Sequence, residues 1–405
     1  MNKFENISIK DIANKQHNRI KPEENIDTDY MLYSFSAHDD DKNPIKVKSK
    51  EIGSQKYEVP DNCILVTKLN PRIKRVWKVE NSQKNSICST EFVVLKPYDK
   101  ELLDYLYAVV SSNIFFSDME KLTGGTSGSH QRVKQSDILN YTFNAPEKYK
   151  NKIEIGSLIN NINTKIKQNL EISELLKETS QAIYKSWFEF YEPYENYKKI
   201  NDNTDIPNEF QNIKIKDICN TIGGGTPNTN KDEYWDGNIE WLTPTEVTKS
   251  KYPIVSETKR TLSEKGLDNT SAKVVNKHSP LLTSRATVGE VVLNKVKMAT
   301  NQGFIAIEPE KDYTRYFLFE NIKNRKDEIQ RLATGSTYDE ISQTQFKNLD
   351  VNLPPYMKRK KFELISKNIY MKIEKIMEEN NNLKELRDYL LPLLLSGEIQ
   401  INNSD

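Results

Sequence analysis

Three consecutive glycines, residues 223–225, stand before Thr226 and Pro227 in the stretch IGGGTPNTNKDEYWDGNIEWLTP. A glycine backbone can bring its N–H groups close to an anion, so a phosphate site is the first chemistry to test. A Walker loop needs Lys and Ser/Thr after its last glycine, and a dinucleotide fingerprint needs G-x-G-x-x-G between a strand and a helix. Neither pattern fits, and Pro227 has no N–H to offer. The run is therefore interpreted as a glycine turn that joins two strands.

A second candidate for chemistry is NLPPY, residues 352–356. Methyl transfer to an adenine amine requires a Pro-Pro-aromatic tetrapeptide whose first residue holds the amine, together with a cofactor-binding glycine loop. Here Leu353 separates Asn352 from the prolines, and no glycine motif of that kind accompanies them. The stretch is interpreted as a strand end followed by a proline turn. The sequence also shows no helicase phosphate loop, no nuclease carboxylate set and no Ser/His/Asp order.

Composition limits the remaining classes. The 405 residues carry a net charge of only +1, so a polyanion would have to be met by local basic patches. Three cysteines, Cys63, Cys88 and Cys219, lie far apart and form no metal-ligand spacing with the four histidines. These thiols are expected to be buried and neutral. No apolar run reaches membrane-spanning length and the N-terminus has no signal-peptide core, so a cytoplasmic location without membrane contact is expected.

The chain contains an internal repeat. SICSTEFVVLKP at residues 86–97 corresponds to MATNQGFIAIEP at 298–309, and KLTGGTSGSHQRV from Lys121 corresponds to RLATGSTYDEI from Arg331. In both halves a short apolar strand then ends at Pro146 or Pro354, and a long helical pattern follows. The repeat predicts two domains of the same design, each followed by a helix.

The two helical stretches share one heptad register, since each apolar position of the second lies 207 residues after its counterpart in the first. Companion positions such as Ile172 and Leu386 complete an a/d seam, so the helices are predicted to pair, with Asn169 setting the register. Two amphipathic helices that each pack on their own domain are the alternative. The predicted pairing positions are Ile155, Ile162, Asn169, Leu176 and Ile183 in the first helix, and Phe362, Ile369, Ile376, Leu383 and Leu390 in the second.

Shifts in composition set the predicted domain boundaries. A polar stretch rich in Asn and Asp separates the first helix from the second globular region. The predicted parts are a first globular domain at 1–148, a helix at 149–191, a linker at 192–210, a second globular domain at 211–355, a helix at 356–396 and a tail at 397–405.

With these motifs in place, the chain resembles the DNA specificity subunit of a type I restriction-modification system over nearly its whole length. The resemblance is carried by GGGTPNTN with YWDGNIEWLTP, LLTSRATVGEVVLN, ATNQGF, LATGSTYDEIS and LKELRDYLLPLLLSGEI. It implies an α+β fold with two mostly-β, mixed target recognition domains. Each domain is followed by a long helix, and the two helices pair as an antiparallel coiled coil with pseudo-two-fold symmetry. Trp235 and Trp241 are then expected to pack within the second domain's frame.

The resemblance also implies a function. Each recognition domain would read one half of a bipartite, asymmetric target in double-stranded DNA, and the chain itself would be non-catalytic. Methyltransferase (modification) subunits would carry S-adenosylmethionine, and this chain would hold no cofactor and no metal. ATP-dependent restriction subunits are a further partner that the sequence leaves open. A self-contained DNA modification enzyme and a coiled-coil scaffold without a DNA role are the alternatives.

Candidate DNA-binding residues follow from local charge and polarity. Cations that surround Trp77 could hold phosphates or read guanine, and Arg285 is the prominent cation of the matching stretch in the second half. Two polar turns offer hydroxyl, amide and guanidinium groups. A solvated basic strand and plain β-turns are the alternatives for these segments. The candidates are Lys68, Arg72, Lys74 and Arg75 in the basic stretch, Thr126, Ser127, Ser129, His130, Gln131 and Arg132 in the first turn, and Arg285, Thr334, Ser336, Thr337 and Tyr338 in the second half.

Overall fold

A computed structural model describes residues 3–25, 27–40, 43–123, 131–201, 204–335 and 339–401. The chain forms two compact units. Residues 1–167 and 381–405 make unit 1, and residues 168–380 make unit 2. Each unit therefore contains part of both long helices.

In unit 1 the first globular region is built from short strands and helices. Its strands are β1 (Phe4–Ser8), β2 (Ala13–Gln16), β3 (Arg19–Ile20), β4 (Asp29–Tyr33), β5 (Ile45–Lys48), β6 (Lys56–Glu58), β7 (Cys63–Thr67), β8 (Val76–Val79), β9 (Ser86–Ser89), β10 (Phe92–Pro97) and β11 (Thr142–Pro146). Its helices are α1 (Ile9–Ile12), α2 (Phe35–Asp40), α3 (Leu103–Ser111), α4 (Asn113–Lys121), α5 (Gln135–Leu139) and the long α6 (Tyr149–Phe188).

The strands of unit 1 form two sheets and a strand pair, in the orders β2-β10-β7-β8, β3-β6-β9-β4-β5 and β1-β11. Strand β7 is buried along its whole length. Successive side chains of a strand point to opposite faces. Ile64 and Val66 therefore enter the core that contains α3, whereas Cys63 and Leu65 enter the core on the other face. The first four residues of this strand, CILV, are continuously apolar because both faces of the strand are covered.

In unit 2 the second globular region repeats this plan. Its strands are β12 (Tyr197–Asn201), β13 (Thr204–Pro207), β14 (Gln211–Lys214), β15 (Cys219–Gly223), β16 (Trp235–Leu242), β17 (Ile254–Val255), β18 (Thr261–Leu262), β19 (Pro280–Thr283), β20 (Val291–Asn294), β21 (Met298–Thr300), β22 (Phe304–Pro309) and β23 (Asp350–Leu353). Its helices are α7 (Pro244–Lys249), α8 (Glu264–Asp268), α9 (Arg315–Asn324), α10 (Lys326–Leu332), α11 (Gln343–Lys347) and the long α12 (Tyr356–Ser396).

The sheet orders show that the two halves share a four-stranded sheet of one topology. Unit 2 contains the sheet β15-β22-β19-β20-β17, the sheet β18-β16-β21, the pair β14-β23 and the hairpin β12-β13. Its strands β15, β22, β19 and β20 take the places that β2, β10, β7 and β8 take in unit 1, with the same antiparallel neighbours. A parallel pair also recurs, β4 with β9 in unit 1 and β16 with β21 in unit 2. The predicted α+β organisation, two sheet-rich regions each followed by a long helix, is confirmed.

Within each unit the segments of α6 and α12 run antiparallel. In unit 2, Asn169 Nδ2 donates to Asn380 Oδ1 at 2.9 Å, and the Ser180 and Ser366 hydroxyls are 3.2 Å apart. Residues later in α6 thus contact residues earlier in α12, which is the pattern of antiparallel helices. In unit 1, Arg387 Nη1 donates to Asn163 Oδ1 at 2.9 Å.

The predicted pairing positions differ in burial. Ile155, Ile162, Asn169, Phe362 and Ile376 are buried, whereas Leu176, Ile183, Ile369, Leu383 and Leu390 are half-buried. The companion positions Ile172 and Leu386 were expected in the seam, but they are 42% and 45% exposed. The polar partners of Asn169 are Glu379 and Asn380, residues that the heptad pattern did not select.

Two further segments differ from the sequence interpretation. The predicted linker at 192–210 contains the hairpin β12–β13, and Tyr194, Ile206 and Phe210 are buried in the core of unit 2. Because the stretch is rich in Asn and Asp, the sequence pattern did not reveal these three widely spaced buried apolar residues. In the tail, Ile399 packs against the core of unit 1, and residues 402–405 lie outside the described part of the chain.

The three cysteines are free and buried, as predicted. Burial raises the pKa of Cys88 and of Cys219 to about 12, and it also raises the pKa of Cys63. All three thiols are therefore neutral at physiological pH. Among the described residues, no helix combines the length and the apolar character needed to cross a membrane.

The glycine run of unit 2 serves close packing rather than a turn. Gly223 ends β15, and residues 224 and 225 continue without a turn, so the predicted glycine turn is not what the structure shows. None of the three glycines has a positive φ. A Cβ on Gly224 would lie 1.8 Å from the backbone oxygen of Asn301. Glycine is required here because another backbone segment passes where a side chain would be.

Substituting Gly224 tests this packing. Gly224→Ala is expected to lower the free energy of unfolding by about 1–3 kcal/mol, because backbone must move to admit the methyl group. Gly53→Ala is the matched control, since a Cβ there meets nothing within 4 Å, and it should change stability by less than about 0.5 kcal/mol. Thermal unfolding followed by tryptophan fluorescence measures both variants. Equal melting temperatures for the two would contradict the close-approach argument.

Candidate nucleic-acid interface

The two candidate segments of the first half lie side by side in unit 1. After β7 the chain pairs with residues 131–133: Asn70 N donates to Gln131 O at 2.8 Å, and Val133 N donates to Lys68 O at 2.9 Å. Leu69 and Arg132 form the antiparallel bridge between them. We call residues 67–75 with 131–133 the unit 1 bridge site. The basic stretch and part of the first polar turn, distant in sequence, thus form one surface.

Unit 2 builds the same backbone arrangement, with residues 283–287 and 339–341, which we call the unit 2 bridge site. Ala286 N donates to Asp339 O at 3.1 Å, and Ile341 N donates to Ser284 O at 3.0 Å. Arg285 and Glu340 form the antiparallel bridge. Matching the hydrogen bonds makes Arg285 equivalent to Leu69 and Glu340 equivalent to Arg132.

A shared backbone conformation supports this equivalence. Asn70 has a φ of 49° and its counterpart Ala286 has a φ of 64°, both in the left-handed region. Asparagine tolerates this region, but alanine adopts it at a cost of about 1–2 kcal/mol. The bridge hydrogen bonds therefore hold Ala286 in a conformation that its sequence does not favour, as is common at functional sites.

The unit 1 bridge site presents several cations. Arg72 and Lys74 are exposed, Lys68 is half-buried, and the Lys74 ammonium contacts the Asn113 side chain. Within the described part of the chain, no ion pair holds Lys68 or Arg72. Arg132 is 59% exposed and donates to Glu91 Oε1 at 3.0 Å. This set can bind phosphates through several separate charges.

Arg75 does not belong to that exposed set. Its Nε lies 2.8 and 3.0 Å from the two Asp39 carboxylate oxygens, its guanidinium lies 4.9 Å from the Phe35 ring centroid, and its side chain is only 11% exposed. The Arg75 hydrogen bonds lower the pKa of Asp39. Lys78 is also turned inward, 2.7 Å from Asp104. This arrangement argues against the predicted contact of Arg75 with DNA, because a phosphate would have to replace a well-formed bidentate pair.

The unit 2 bridge site is less basic. Arg285 is 48% exposed and its Nε lies 3.1 Å from Glu340 Oε2. Thr334 is exposed, and its backbone bridges to Glu340. The remaining candidates of the two polar turns lie outside the described residues: Thr126, Ser127, Ser129, His130, Ser336, Thr337 and Tyr338.

The two tryptophans of unit 2 pack against each other, as predicted. Each is 6% exposed, and their ring centroids lie 5.1 Å apart in an edge-to-face arrangement. Trp241 Nε1 donates to Gly225 O at 2.9 Å, which ties the pair to the glycine run. The guanidinium of Arg260 lies 3.4 Å from the Trp235 ring centroid. Sequence reasoning missed this exposed cation, because nothing in the local spacing links Arg260 to Trp235.

The NLPPY stretch is a strand end and a proline turn, as interpreted. Strand β23 ends at Leu353 and α12 begins at Tyr356. The Asn352 side chain accepts from Asn212 Nδ2 at 2.8 Å and donates to the Tyr191 hydroxyl at 3.2 Å. Its amide is therefore engaged inside unit 2. In the part of the chain that the structure describes, no three His, Cys, Asp or Glu side chains are grouped as metal ligands.

Comparison with known proteins gives a consistent result. Residues 207–385 match the type I restriction modification DNA specificity domain. The specificity subunit of the type I restriction enzyme MjaIX from Methanocaldococcus jannaschii is 32% identical over 184 residues, which are 45% of this chain and 42% of that subunit. The match thus spans less than half of that relative. The HindI specificity subunit from Haemophilus influenzae is 22% identical over 86% of this chain and 88% of that subunit.

One solved structure supports the fold. The S subunit of a type I restriction-modification system from M. genitalium superimposes with a TM-score of 0.61 at 15% identity, covering 97% of this chain and 96% of that one. At this identity the likeness concerns the fold.

The inward pair of Arg75 leads to a stability prediction. Arg75→Ala should lower the free energy of unfolding by about 1–3 kcal/mol, because it removes a side chain that is only 11% exposed, together with its bidentate pair with Asp39 and its contact with the Phe35 ring. The folded-state pKa of Asp39 lies below its ordinary value of 3.8. The part of the stability difference that comes from the ion pair is therefore fully present above pH 3.8 and is lost as the pH falls through the lowered pKa.

Arg72→Ala removes the same charge from an exposed side chain and serves as the control, with an expected change within about 0.5 kcal/mol. Chemical denaturation of both variants at neutral pH and near pH 3 measures these differences. The assignment of Arg75 as a structural residue would be wrong if Arg72→Ala were as destabilising as Arg75→Ala.

Proposed function

We propose that the chain, whose residues 207–385 match the type I restriction modification DNA specificity domain, is the DNA specificity subunit of a type I restriction-modification complex. Each sheet-rich domain reads one half of a bipartite, asymmetric target in double-stranded DNA. The globular regions at about 1–148 and 211–355 act as the two target recognition domains. The helices at 149–191 and 356–396 act as the spacer.

One observation carries this proposal: both units build the same bridge site from the same backbone hydrogen bonds, but with different side chains. Leu69 and Arg132 in one unit stand where Arg285 and Glu340 stand in the other. A common frame with different side chains is what two readers of different half-sites require. A shared backbone frame could also exist for packing alone. Packing, however, does not require exposed arginines on that frame.

The chemistry of the exposed groups suits a DNA duplex. Lysine and arginine neutralise phosphates and supply affinity without sequence preference. Arginine also donates two parallel hydrogen bonds to the O6 and N7 atoms of guanine, which supplies sequence preference. Lys68, Arg72, Lys74 and Arg132 are the proposed contacts of unit 1, and Arg285 is the proposed contact of unit 2. The polar-turn candidates that lie outside the described residues would add hydroxyl and amide groups.

Catalysis is assigned to partner subunits. Modification subunits would bind S-adenosylmethionine and methylate adenine, and ATP-dependent restriction subunits would cut DNA where they are present. The engaged amide of Asn352 supports a chain without methyltransferase activity, since the nearest sequence approach to that motif is held inside unit 2. The cytoplasm, where these partners would meet DNA, is the proposed location.

The DNA contacts are tested by Arg72→Ala and Arg285→Ala. Each variant should lose about 1–2 kcal/mol of DNA binding, which is roughly tenfold in affinity, because each removes one cationic contact. The salt dependence of binding should fall by about one unit of slope if the contact is to phosphate. Lys150→Ala, which removes an exposed charge from α6, is the control and should leave affinity unchanged.

Binding is measured by fluorescence anisotropy on a duplex that carries the site assigned by methylome sequencing, with the chain bound to its modification subunit. Co-purification with that subunit checks that assembly is intact. A methylome that is the same with and without the chain would reject the specificity role altogether. Methyl transfer by the isolated chain would favour a self-contained modification enzyme.

A further inference from the structure

In each bridge site an exposed arginine is held by a carboxylate. Arg132 pairs with Glu91 at 3.0 Å in unit 1, and Arg285 pairs with Glu340 at 3.1 Å in unit 2. The two pairs do not come from equivalent positions, because Arg132 occupies the place of Glu340. Both units therefore contain an arginine–carboxylate pair, but the paired residues stand at different positions of the shared backbone frame.

The backbone frame identifies the counterpart of Glu91 as well. Lys68 N donates to Glu91 O at 3.0 Å in unit 1, and Ser284 N donates to Gly303 O at 2.8 Å in unit 2. Unit 2 thus has a glycine where unit 1 has its carboxylate, and supplies its carboxylate from the opposite strand of the bridge. The recurrence of an arginine-carboxylate pair is accordingly not a by-product of the repeated sequence.

Exposure distinguishes these pairs from a purely structural one. Arg132 and Arg285 are 59% and 48% exposed, whereas Arg75 in its bidentate pair is 11% exposed. Exposed ion pairs contribute little to stability, because water and salt screen them and the side chains lose entropy on pairing. The pair of Arg285 with Glu340, whose carboxylate is 41% exposed, can therefore be opened by a ligand at small cost. Opening the pair of Arg132 costs more, because Glu91 is only 23% exposed.

A carboxylate beside a DNA-facing arginine changes binding in one direction. It cancels part of the guanidinium charge and repels an approaching phosphate, so it weakens the phosphate-driven attraction on which non-specific binding depends. At the correct site, the base-edge hydrogen bonds of the arginine offset the cost of opening the pair. The carboxylate therefore penalises wrong DNA more than the target.

We propose that Glu91 and Glu340 are specificity-determining residues, which hold Arg132 and Arg285 away from non-specific DNA until a matching half-site is bound. This inference rests on the proposed function, because it requires the bridge sites to face DNA. It adds a role for two acidic residues that a search for basic patches does not reveal.

Isosteric substitution tests the inference. Glu91→Gln and Glu340→Gln remove the negative charge and keep the side-chain size, and Glu91→Ala and Glu340→Ala are second variants in case either amide disturbs folding. The controls are Glu154→Gln and Glu174→Gln, which remove the same charge from ion pairs on α6 with Lys150 and Lys177. All are prepared as the full chain with its modification subunit, and melting temperatures verify folding.

Affinity is measured by anisotropy over a range of salt concentrations on two duplexes, one of random sequence and one with the site assigned by methylome sequencing. Each variant of Glu91 or Glu340 should bind the random duplex about threefold more tightly than its control, with a steeper salt dependence. Affinity for the target should change less, so the ratio of specific to non-specific binding falls. Methylome sequencing should then show added methylation at near-match sites.

Arg132→Ala and Arg285→Ala distinguish a failure of the inference from a failure of the proposed function. If these variants weaken target binding but the Glu→Gln and Glu→Ala variants behave like their controls, the inference is overturned and the proposed function stands. If the arginine variants leave target binding unchanged, the bridge sites do not contact DNA, and the inference fails together with that part of the proposed interface. A methylome that still depends on the chain would preserve the specificity role in that case.

Discussion

The structure depends on covering the apolar face of two long helices. An isolated helix gains little stability in water, so α6 and α12 need tertiary contacts along their length. In unit 2, Phe188 lies 5.2 Å from Phe362 and 5.3 Å from Phe317 between ring centroids, which joins both helices to the globular region. In unit 1, Leu391 and Leu394 of α12 lie in the same core as α3. The first globular region is thus completed by residues from the end of the chain.

This constraint explains how one backbone frame can present two different sets of side chains. The buried strands β7 and β19 fix where the chain leaves each sheet, and the bridge hydrogen bonds fix the conformation of the residues that follow. The bridge partners Leu69, Arg132, Arg285 and Glu340 lie outside the cores and can differ without loss of fold, whereas the neighbouring Val133 and Ile341 are buried in the cores of their units. Leu69 and Arg285 occupy one backbone position in two copies and present different groups. Under the proposed function, specificity can therefore change while the supporting structure is kept.

Sequence reasoning predicted features whose cause is local or periodic. The heptads identified both helices, and the matching turn and strand motifs identified the repeat. It did not reveal that Asp39 binds Arg75, because ion-pair partners distant in the chain leave no mark on local spacing. Likewise Asn169 pairs with Asn380, because the true helix register brings in a residue outside the predicted seam. The left-handed conformation of Ala286 was also unpredictable, since it is imposed by the bridge and not by the residue.

The central claim is that the two globular regions read DNA independently on a common frame. Replacing residues 211–355 by the corresponding region of a relative with a different target, followed by methylome sequencing of cells that also carry the modification subunit, tests it most directly. The account predicts that one half-site changes to the relative's sequence and the other half-site stays as it was. A methylome in which both half-sites change, or in which neither does, would contradict it.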